Sequence, residues 1–237
     1  MTTRLALVAA LAFGLTACAD SSDDAAVVPA EDGVSVAGTM AEAPAVPAGT
    51  YAIDAAHSRA EFRVRHLGIS TVTGRFGSVT GTVTVGDGLG TLQANAVIDA
   101  TSIDTGNEQR DGHLQSPDFF DAAQYPEITF NATAVRPGDG GQFTLVGDLT
   151  MHGVTRPVEL DAEYLGTSSV QGIQKIGFTA RGEITRQDWG LTWAGTNEAG
   201  EALVGDEVTL IIEVEADLQG GDAEAPAEAE ADAAPDA

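Results

Sequence analysis

Residues 107–130 have the sequence NEQRDGHLQSPDFFDAAQYPEITF, and they interrupt a chain that otherwise has the pattern of β-strands. On both sides of them, apolar and polar residues alternate with the period of two that half-buried strands require. Asn107 is suited to cap a helical turn, which Gly112 is expected to keep short. The turn that follows presents Phe119 and Phe120 together. The sequence therefore predicts a small helical lid, carrying two aromatic rings, that lies against a sheet.

The segments around this lid contain nine candidate strands, most of them joined by Gly, Asp, Asn or Pro, as hairpin turns require. They span residues 51–54, 60–67, 74–85, 92–101, 127–135, 142–151, 158–165, 175–184 and 207–216. The strands have an apolar face and a polar face; Val158, Leu160 and Ala162, for example, alternate with Glu159 and Asp161. The sequence has no long helical period. This pattern predicts an all-β fold, an antiparallel barrel or sandwich.

Small residues on the predicted apolar face decide whether such a barrel would be filled. An eight-stranded barrel has either a core packed with side chains or room for one small ligand. Small inward residues on several strands leave volume unfilled, and an empty apolar cavity destabilises a protein. The alternative is that the strands pack closely or bend at the glycines, which needs no ligand. The residues concerned are Gly81, Ala94, Ala96, Ala132, Ala134, Gly147, Ala180 and Gly182.

Four stretches, in the same order, resemble the YceI-like family of polyisoprenoid-binding proteins. The longest is the lid segment, residues 107–130; the others are DAAHSRAEF (54–62), GDLTMHGVTRPV (147–158) and ITRQDWGL (184–191), the last followed by VGDEV (204–208). The resemblance covers residues 49–217. It implies a lipocalin-like antiparallel barrel of about eight strands with an elongated hydrophobic cavity for a polyprenyl chain. Trp189 departs from the family, which more often has Phe or another bulky residue at that position.

The expected ligand follows from this resemblance: an isoprenoid quinone or a polyprenyl phosphate, bound non-covalently and with no further cofactor. The candidate binding residues are apolar or aromatic, with two lid residues at the entrance and one histidine placed to meet a polar head group. Ordinary core packing is the alternative for each of them, and no residue identifies the head group. These residues are Phe62, Val64, His66, Phe76, Phe119, Phe120, Phe130, Trp189 and Trp193.

The two ends of the chain predict export and anchoring. Residues 1–17 contain an apolar run that is too short to span a bilayer stably and has the length of a signal peptide. The run ends in Leu-Thr-Ala-Cys, which resembles the bacterial lipobox and implies lipidation of Cys18; the alternative is an ordinary signal peptide with an accidental cysteine. Residues 19–48 and 218–237 are rich in Ala, Pro and acidic residues and are expected to be disordered. The predicted location is the periplasmic side of a bacterial cell envelope.

The formal net charge is −25, and 13 of the 36 acidic residues lie in the tether and in residues 217–237. The domain between them remains acidic, with 23 acidic and 10 basic residues. Nucleic acid and an anionic lipid surface are therefore unfavourable electrostatic partners for the domain as a whole. Whether two barrels pair as a homodimer stays open at this stage.

Motifs of catalysis and metal binding are absent from the sequence. The four histidines form no H-x-H, H-E-x-x-H or Cys–His cluster, and there is no G-x-S-x-G element. We expect neither catalytic residues nor a metal site, and we expect Arg110 and Asp111 to form an ion pair that fixes the lid. Two functions remain. One is an envelope protein that binds an isoprenoid for sequestration or transport, and the other is a structural or stress-related envelope lipoprotein with a packed barrel.

Overall fold

The computed structural model describes residues 45–220, which contain eleven β-strands, one α-helix and two short 3₁₀ helices. The strands are β1 (Gly49–Ile53), β2 (Arg59–His66), β3 (Ser70–Phe76), β4 (Val79–Gly86), β5 (Gly88–Asp99), β6 (Ile103–Asp104), β7 (Glu127–Pro137), β8 (Gln142–Met151), β9 (Val154–Val170), β10 (Ile173–Thr185) and β11 (Val204–Leu218). The helices are α1 (Glu108–Gln115) and the 3₁₀ helices Ala100–Ser102 and Arg186–Trp189. None of the helices in residues 45–220 has the length and apolar character of a membrane span.

The strands form a closed antiparallel barrel. Three pairs of strands, β1 with β2, β3 with β4 and β5 with β6, each behave as one long strand broken by a short irregular segment. Counted in this way, eight strands follow one another around the barrel in chain order, and β11 closes it by pairing with both β1 and β2. The predicted all-β barrel of about eight strands with a short helical segment is therefore confirmed.

Ser58 stabilises the break between β1 and β2. Its side chain is buried, and its hydroxyl donates to the carbonyl of Glu215 and accepts from the N–H of the same residue, both at 3.1 Å. A side chain thus takes the place of a strand partner for β11. As a result, β11 passes the break without leaving its backbone groups unpaired, and residues 54–58 can turn away from the barrel wall.

The structure corrects two details of the expected lid. Asn107 caps α1 as predicted, with its Oδ1 accepting from the N–H of Arg110 at 3.0 Å, but the helix continues through Gly112 to its end at Gln115. The cost of one glycine, about 1 kcal/mol, is too small to stop a capped helix. The predicted ion pair between Arg110 and Asp111 is wrong. Each of them instead binds Thr105: Asp111 accepts from its N–H at 2.9 Å, and Arg110 donates to its carbonyl at 2.8 Å.

The strand pattern and the limits of the folded segment also differ from the prediction. The single strand expected at 74–85 is broken between β3 and β4, at residues 77–78. A bulge in β7 between Ala132 and Ala134 leaves Ala134 exposed instead of inward. The folded segment also extends slightly beyond 49–217, because Val46 is buried in the core and Leu218 pairs with Tyr51. The predicted signal peptide, Cys18 and most of the tether and tail lie outside the described residues.

Candidate functional site

The barrel encloses a cavity of about 380 Å³, within the range of roughly 300–1,000 Å³ that small-molecule pockets commonly have. Aliphatic and aromatic side chains from most of the strands make up nearly all of its wall. They include Val83, Leu92, Ala94, Ala96, Ile128, Phe130, Leu145, Leu149, Val158, Leu160, Ala162, Phe178, Ala180, Val208, Leu210, Ile212 and Val214. Such a wall has almost no hydrogen-bonding groups, so it suits a long apolar group better than a polar one.

Alanines and glycines on the inner face differ in what surrounds them. A Cβ added to Gly147 would lie 2.4 Å from Cζ of Phe130, and one added to Gly182 would lie 2.6 Å from Cδ2 of Leu160. Neighbouring side chains therefore already fill the space at these glycines. Three of the five alanines among the predicted small inward residues, in contrast, line the cavity: Ala94, Ala96 and Ala180. Close packing at glycines and unfilled volume at alanines thus both occur, at different positions.

One end of the cavity is closed by packed side chains. Tyr51 is fully buried there, and its hydroxyl donates to the carbonyl of Pro47 at 2.9 Å. Several other residues are buried at this end without lining the cavity: Val46, Val85, Leu89, Tyr164 and Ile176. Strand β11 runs from one end of the barrel to the other. Its last residue, Leu218, pairs with Tyr51 at the closed end, and its first residue, Val204, lines the cavity at the opposite end. We call that opposite end, bounded by His66, Arg110, His113, Trp193 and Val204, the mouth.

The lid lies over the mouth, with its two phenylalanines on the cavity side. The ring of Phe120 packs edge-on against Phe76, with 5.6 Å between the ring centroids. The ring of Phe119 lies 5.4 Å from that of Trp193, and His113 contacts both of them, at 5.1 and 5.4 Å. Aromatic contacts therefore hold the lid to the barrel, so the lid and the cavity wall share one apolar surface.

Most of the polar groups in the cavity wall are at the mouth. Arg186 is buried, and its guanidinium donates to the carbonyls of Gly205 and Leu191 and to Oδ1 of Asp206. With these three partners it is a structural group that joins the end of β10 to the start of β11. Arg110 and His113 are exposed instead, and they line the mouth from α1.

The structure brings together eight of the nine predicted binding residues in the lining of this cavity. The eight are Phe62, Val64, His66, Phe76, Phe119, Phe120, Phe130 and Trp193. Trp189 is not in the lining: it is 2% exposed, and its indole N–H donates to the carbonyl of Leu149 at 3.0 Å. The 3₁₀ helix Arg186–Trp189 directs this ring against β8, so it supports the wall instead of forming its inner surface.

The lining residues that the sequence did not predict include Arg65, Arg110 and His113 near the mouth. A signal for two of them was present, because Arg110, His113 and Leu114 follow the spacing i, i+3, i+4 and therefore share one face of α1. All three of these helix residues line the cavity. Arg65 has no such signal, since strand alternation places it on the outer face of β2.

Residues from three of the four recognised stretches meet beside Trp189. The ring of Tyr125 packs against His152, with 5.2 Å between centroids, and Nδ1 of His152 lies 3.2 Å from the carbonyl oxygen of Trp189. A Cβ on Gly153 would lie 2.6 Å from the Tyr125 ring, and the φ of Gly153 is +73°. Glycine is therefore required there on two grounds. These contacts join the lid segment, the β8–β9 turn and the β10–β11 connection, so the stretches that identify the fold mainly build its frame.

A charged cluster joins β1, β10 and β11 near the closed end. Nζ of Lys175 lies 2.6 Å from Asp217, 2.9 Å from Glu215 and 3.4 Å from Asp54. The hydrogen bond from His57 is the main reason that the pKa of Asp54 falls to about 2, and the same bond raises the pKa of His57. One carboxylate oxygen each of Asp54 and Glu215 and one ring nitrogen of His57, which are atoms of the kind that bind metal ions, lie within 4.8 Å of one another. Because Lys175 already supplies a cation to two of these groups, the cluster is a salt-bridge network.

Comparison with known proteins agrees with this architecture. The family model of the YceI-like domain matches residues 51–216. Protein YceI of Escherichia coli O157:H7 is 37% identical over 187 residues, which cover 77% of this chain and 94% of that protein. The crystal structure of the Campylobacter jejuni YCEI protein has a TM-score of 0.55 at 33% identity, covering 65% of this chain and 88% of that one. A polyisoprenoid binding domain from Saccharophagus degradans, implicated in plant cell wall breakdown, has a TM-score of 0.53 at 19% identity, covering 73% and 99% of the two chains.

Proposed function

Because this chain belongs to the YceI-like family, we propose that its barrel binds a polyisoprenoid, an isoprenoid quinone or a polyprenyl lipid, for sequestration or transport. The observation that carries the proposal is the cavity of about 380 Å³, which is almost entirely apolar along its wall and has most of its polar groups near its mouth. A lipid with a long apolar chain and a small polar head has the same distribution. The Saccharophagus degradans neighbour, described as a polyisoprenoid binding domain, supports the same class of ligand.

The energetics of the cavity favour a ligand. At about 24 cal/mol per Å³, an empty apolar cavity of 380 Å³ would cost on the order of 9 kcal/mol. The whole stability of a typical domain is only about 5–15 kcal/mol. An apolar chain in the cavity removes this cost and gains about 0.8 kcal/mol for each methylene that it buries. Affinity would come from the length and shape of the chain, with the head group near the solvent.

We assign roles to the candidate binding residues on this basis. The aromatic and apolar side chains Phe62, Val64, Phe76, Phe130 and Trp193 contact the chain. Phe119 and Phe120 cover it from the lid, and His66 faces the head group at the mouth. Trp189 supports the wall from behind. The proposal is one of binding without catalysis.

The proposal includes anchoring of the protein in a bacterial cell envelope through lipidation at Cys18. Support comes from the apolar run of residues 5–15 and the Leu-Thr-Ala-Cys sequence that ends at Cys18. Cys18→Ser should release the protein from the membrane fraction into the soluble one, as measured by fractionation and immunoblotting. Unchanged membrane association of the variant would contradict the anchor, while leaving ligand binding untouched.

The first test of ligand binding is native mass spectrometry of the Cys18→Ser chain purified from bacterial cells. The bound compound is then extracted into organic solvent and identified. A stoichiometric prenyl compound is the expected result. A ligand-free mass that persists after incubation with isoprenoid quinones and polyprenyl phosphates would refute the proposal and favour a structural lipoprotein.

A further inference from the structure

An exposed apolar residue lies on the rim of the mouth. The hairpin between β2 and β3 turns at residues 67–68, and Ile69, which follows, is 83% exposed. The N–H of Ile69 donates to the carbonyl of His66 at 3.2 Å, and His66 lines the cavity. Ile69 is therefore within one tight turn of the cavity wall.

The turn itself contains an apolar residue in an unfavourable conformation. Leu67 and Gly68 have φ values of +54° and +68°. Turns with positive φ at both central positions favour Asn-Gly, because side chains other than those of Asn and Asp rarely adopt this conformation. Leu67 thus occupies a turn position whose backbone conformation favours a polar residue such as Asn. Backbone strain of this kind often marks functional positions.

The charge of the domain is unevenly distributed, and this hairpin belongs to its basic part. Residues 55–86 contain four arginines and one acidic residue, in a chain with a net charge of −25. Arg59 and Arg75 of this segment pair with carboxylates. The ion pairs among residues 45–220 do not include Arg63, which is exposed on the outer face of β2, or Arg65, which is exposed beside the mouth and also lines the cavity.

Acidic residues in the loop before β11 reduce the positive charge of the β2–β3 hairpin. The N–H of Leu67 donates to the carbonyl of Leu203 at 3.0 Å, which brings the loop before β11 alongside the hairpin. That loop contains Glu198 and Glu201. We therefore expect the two arginines to add a modest electrostatic attraction to the apolar contact of Ile69.

We propose that the tip of the β2–β3 hairpin, residues 63–69, docks the mouth onto the surface of an anionic lipid bilayer. The lipid then passes between bilayer and cavity without crossing water, where each methylene would lose the free energy of burial. The inference rests on the proposed function, since only a membrane-derived ligand requires such docking. One exposed isoleucine with two arginines is too small for a stable protein interface, but it matches shallow insertion into a lipid head-group region.

A second exposed apolar group provides a matched control at the other end of the barrel. Leu165, Val170 and Ile173, near the β9–β10 turn, are 61%, 50% and 42% exposed. This turn lies beyond Lys175, which pairs with Asp217 near the closed end. A lipid cannot enter the cavity from there, so docking through this turn would serve no exchange.

The test measures co-flotation of the Cys18→Ser chain with two kinds of vesicle: phosphatidylcholine alone, and equal parts of phosphatidylcholine and phosphatidylglycerol. Ile69→Asp should weaken binding to both about tenfold. Arg63→Gln and Arg65→Gln should each weaken it about fivefold, on the anionic vesicles only. Leu165→Asp controls for Ile69→Asp. Arg181→Gln controls for the arginine variants, because Arg181 is exposed on β10, away from the mouth.

Three results would overturn the docking surface: no vesicle binding by the parent chain, unchanged binding by Ile69→Asp, or an equal loss with Leu165→Asp. Native mass spectrometry of the same preparations separates this failure from that of the proposed function. A barrel that contains a prenyl lipid but fails the vesicle test refutes only the docking surface. A barrel that takes up no prenyl compound refutes the proposed function itself.

Discussion

Replacing Ala96 by Phe tests whether the barrel has space for a ligand. Ala96 lies on β5 and lines the cavity. A phenyl ring at this position would point into the unfilled volume and displace roughly four methylenes of a bound chain. At about 0.8 kcal/mol each, the loss is about 3 kcal/mol, or more than a hundredfold in the dissociation constant. The ring itself fills part of the empty volume, so the free energy of unfolding of the ligand-free protein should stay the same or rise.

Ala216→Phe is the matched control, because Ala216 is also inward but is 0% exposed and does not line the cavity. There the ring has no space, so overpacking should destabilise the protein by about 1–3 kcal/mol or more. Native mass spectrometry reports ligand occupancy, and urea denaturation reports stability. The reasoning is refuted if Ala96→Phe keeps its ligand and loses as much stability as Ala216→Phe.

Three further substitutions test the frame around the cavity. Arg186→Ala should lower the free energy of unfolding by about 3 kcal/mol, because its three hydrogen-bond acceptors lose their donor. Urea denaturation measures this change. Arg186→Lys should restore little of the lost stability, since one ammonium group cannot replace the several donors of a guanidinium. Gly147→Ala should destabilise the protein by about 1–3 kcal/mol, because its Cβ would lie 2.4 Å from a ring carbon of Phe130. In the control Gly77→Ala, no atom lies closer than 3.9 Å to the added Cβ, so stability should change by less than about 0.5 kcal/mol. Equal effects of the two substitutions would argue against close packing at Gly147. Asp54→Asn should reduce the decrease in the free energy of unfolding that occurs when the pH is lowered. The pKa of this carboxyl is about 2 instead of 3.8, so its contribution to the free energy of unfolding is present above pH ~4 and is lost as the pH falls from ~4 to ~2. If the urea midpoints of Asp54→Asn fall between pH ~4 and ~2 as steeply as those of the parent chain, Asp54 does not have this role.

Local features of the fold could be predicted from the sequence because they depend on neighbouring residues. Alternation identified the inner faces of β2, β9 and β11, and the side chain of Asn107 identified the start of α1. The extent of α1 could not be predicted from propensity, since contacts with Thr105 compensate for Gly112. The bulge at Ala132 and Ala134 was also missed, because register depends on the pairing of β7 with β8.

The site shows the same division. Of the nine residues that were predicted to line the cavity, mostly aromatic residues and residues on apolar strand faces, eight do line it. Trp189 has the same chemical character, but it lies at the end of a 3₁₀ helix and its ring packs behind β8. Burial alone cannot tell a side chain that faces a cavity from one that faces a packed wall, because both are surrounded by apolar atoms.

The sequence by itself therefore determined the class of fold, the approximate positions of most of its strands, the presence of a lid with two phenylalanines and the apolar character of the interior. These properties depend on side-chain periodicity and on short-range capping and turn chemistry. Only the tertiary structure decided which small residues leave volume open, which end of the barrel is closed, and that the lid, His66 and the exposed Ile69 meet at one mouth. The reason is that β11 pairs with β1 at one end and with β2 at the other, and such long-range pairing leaves no signal in local sequence.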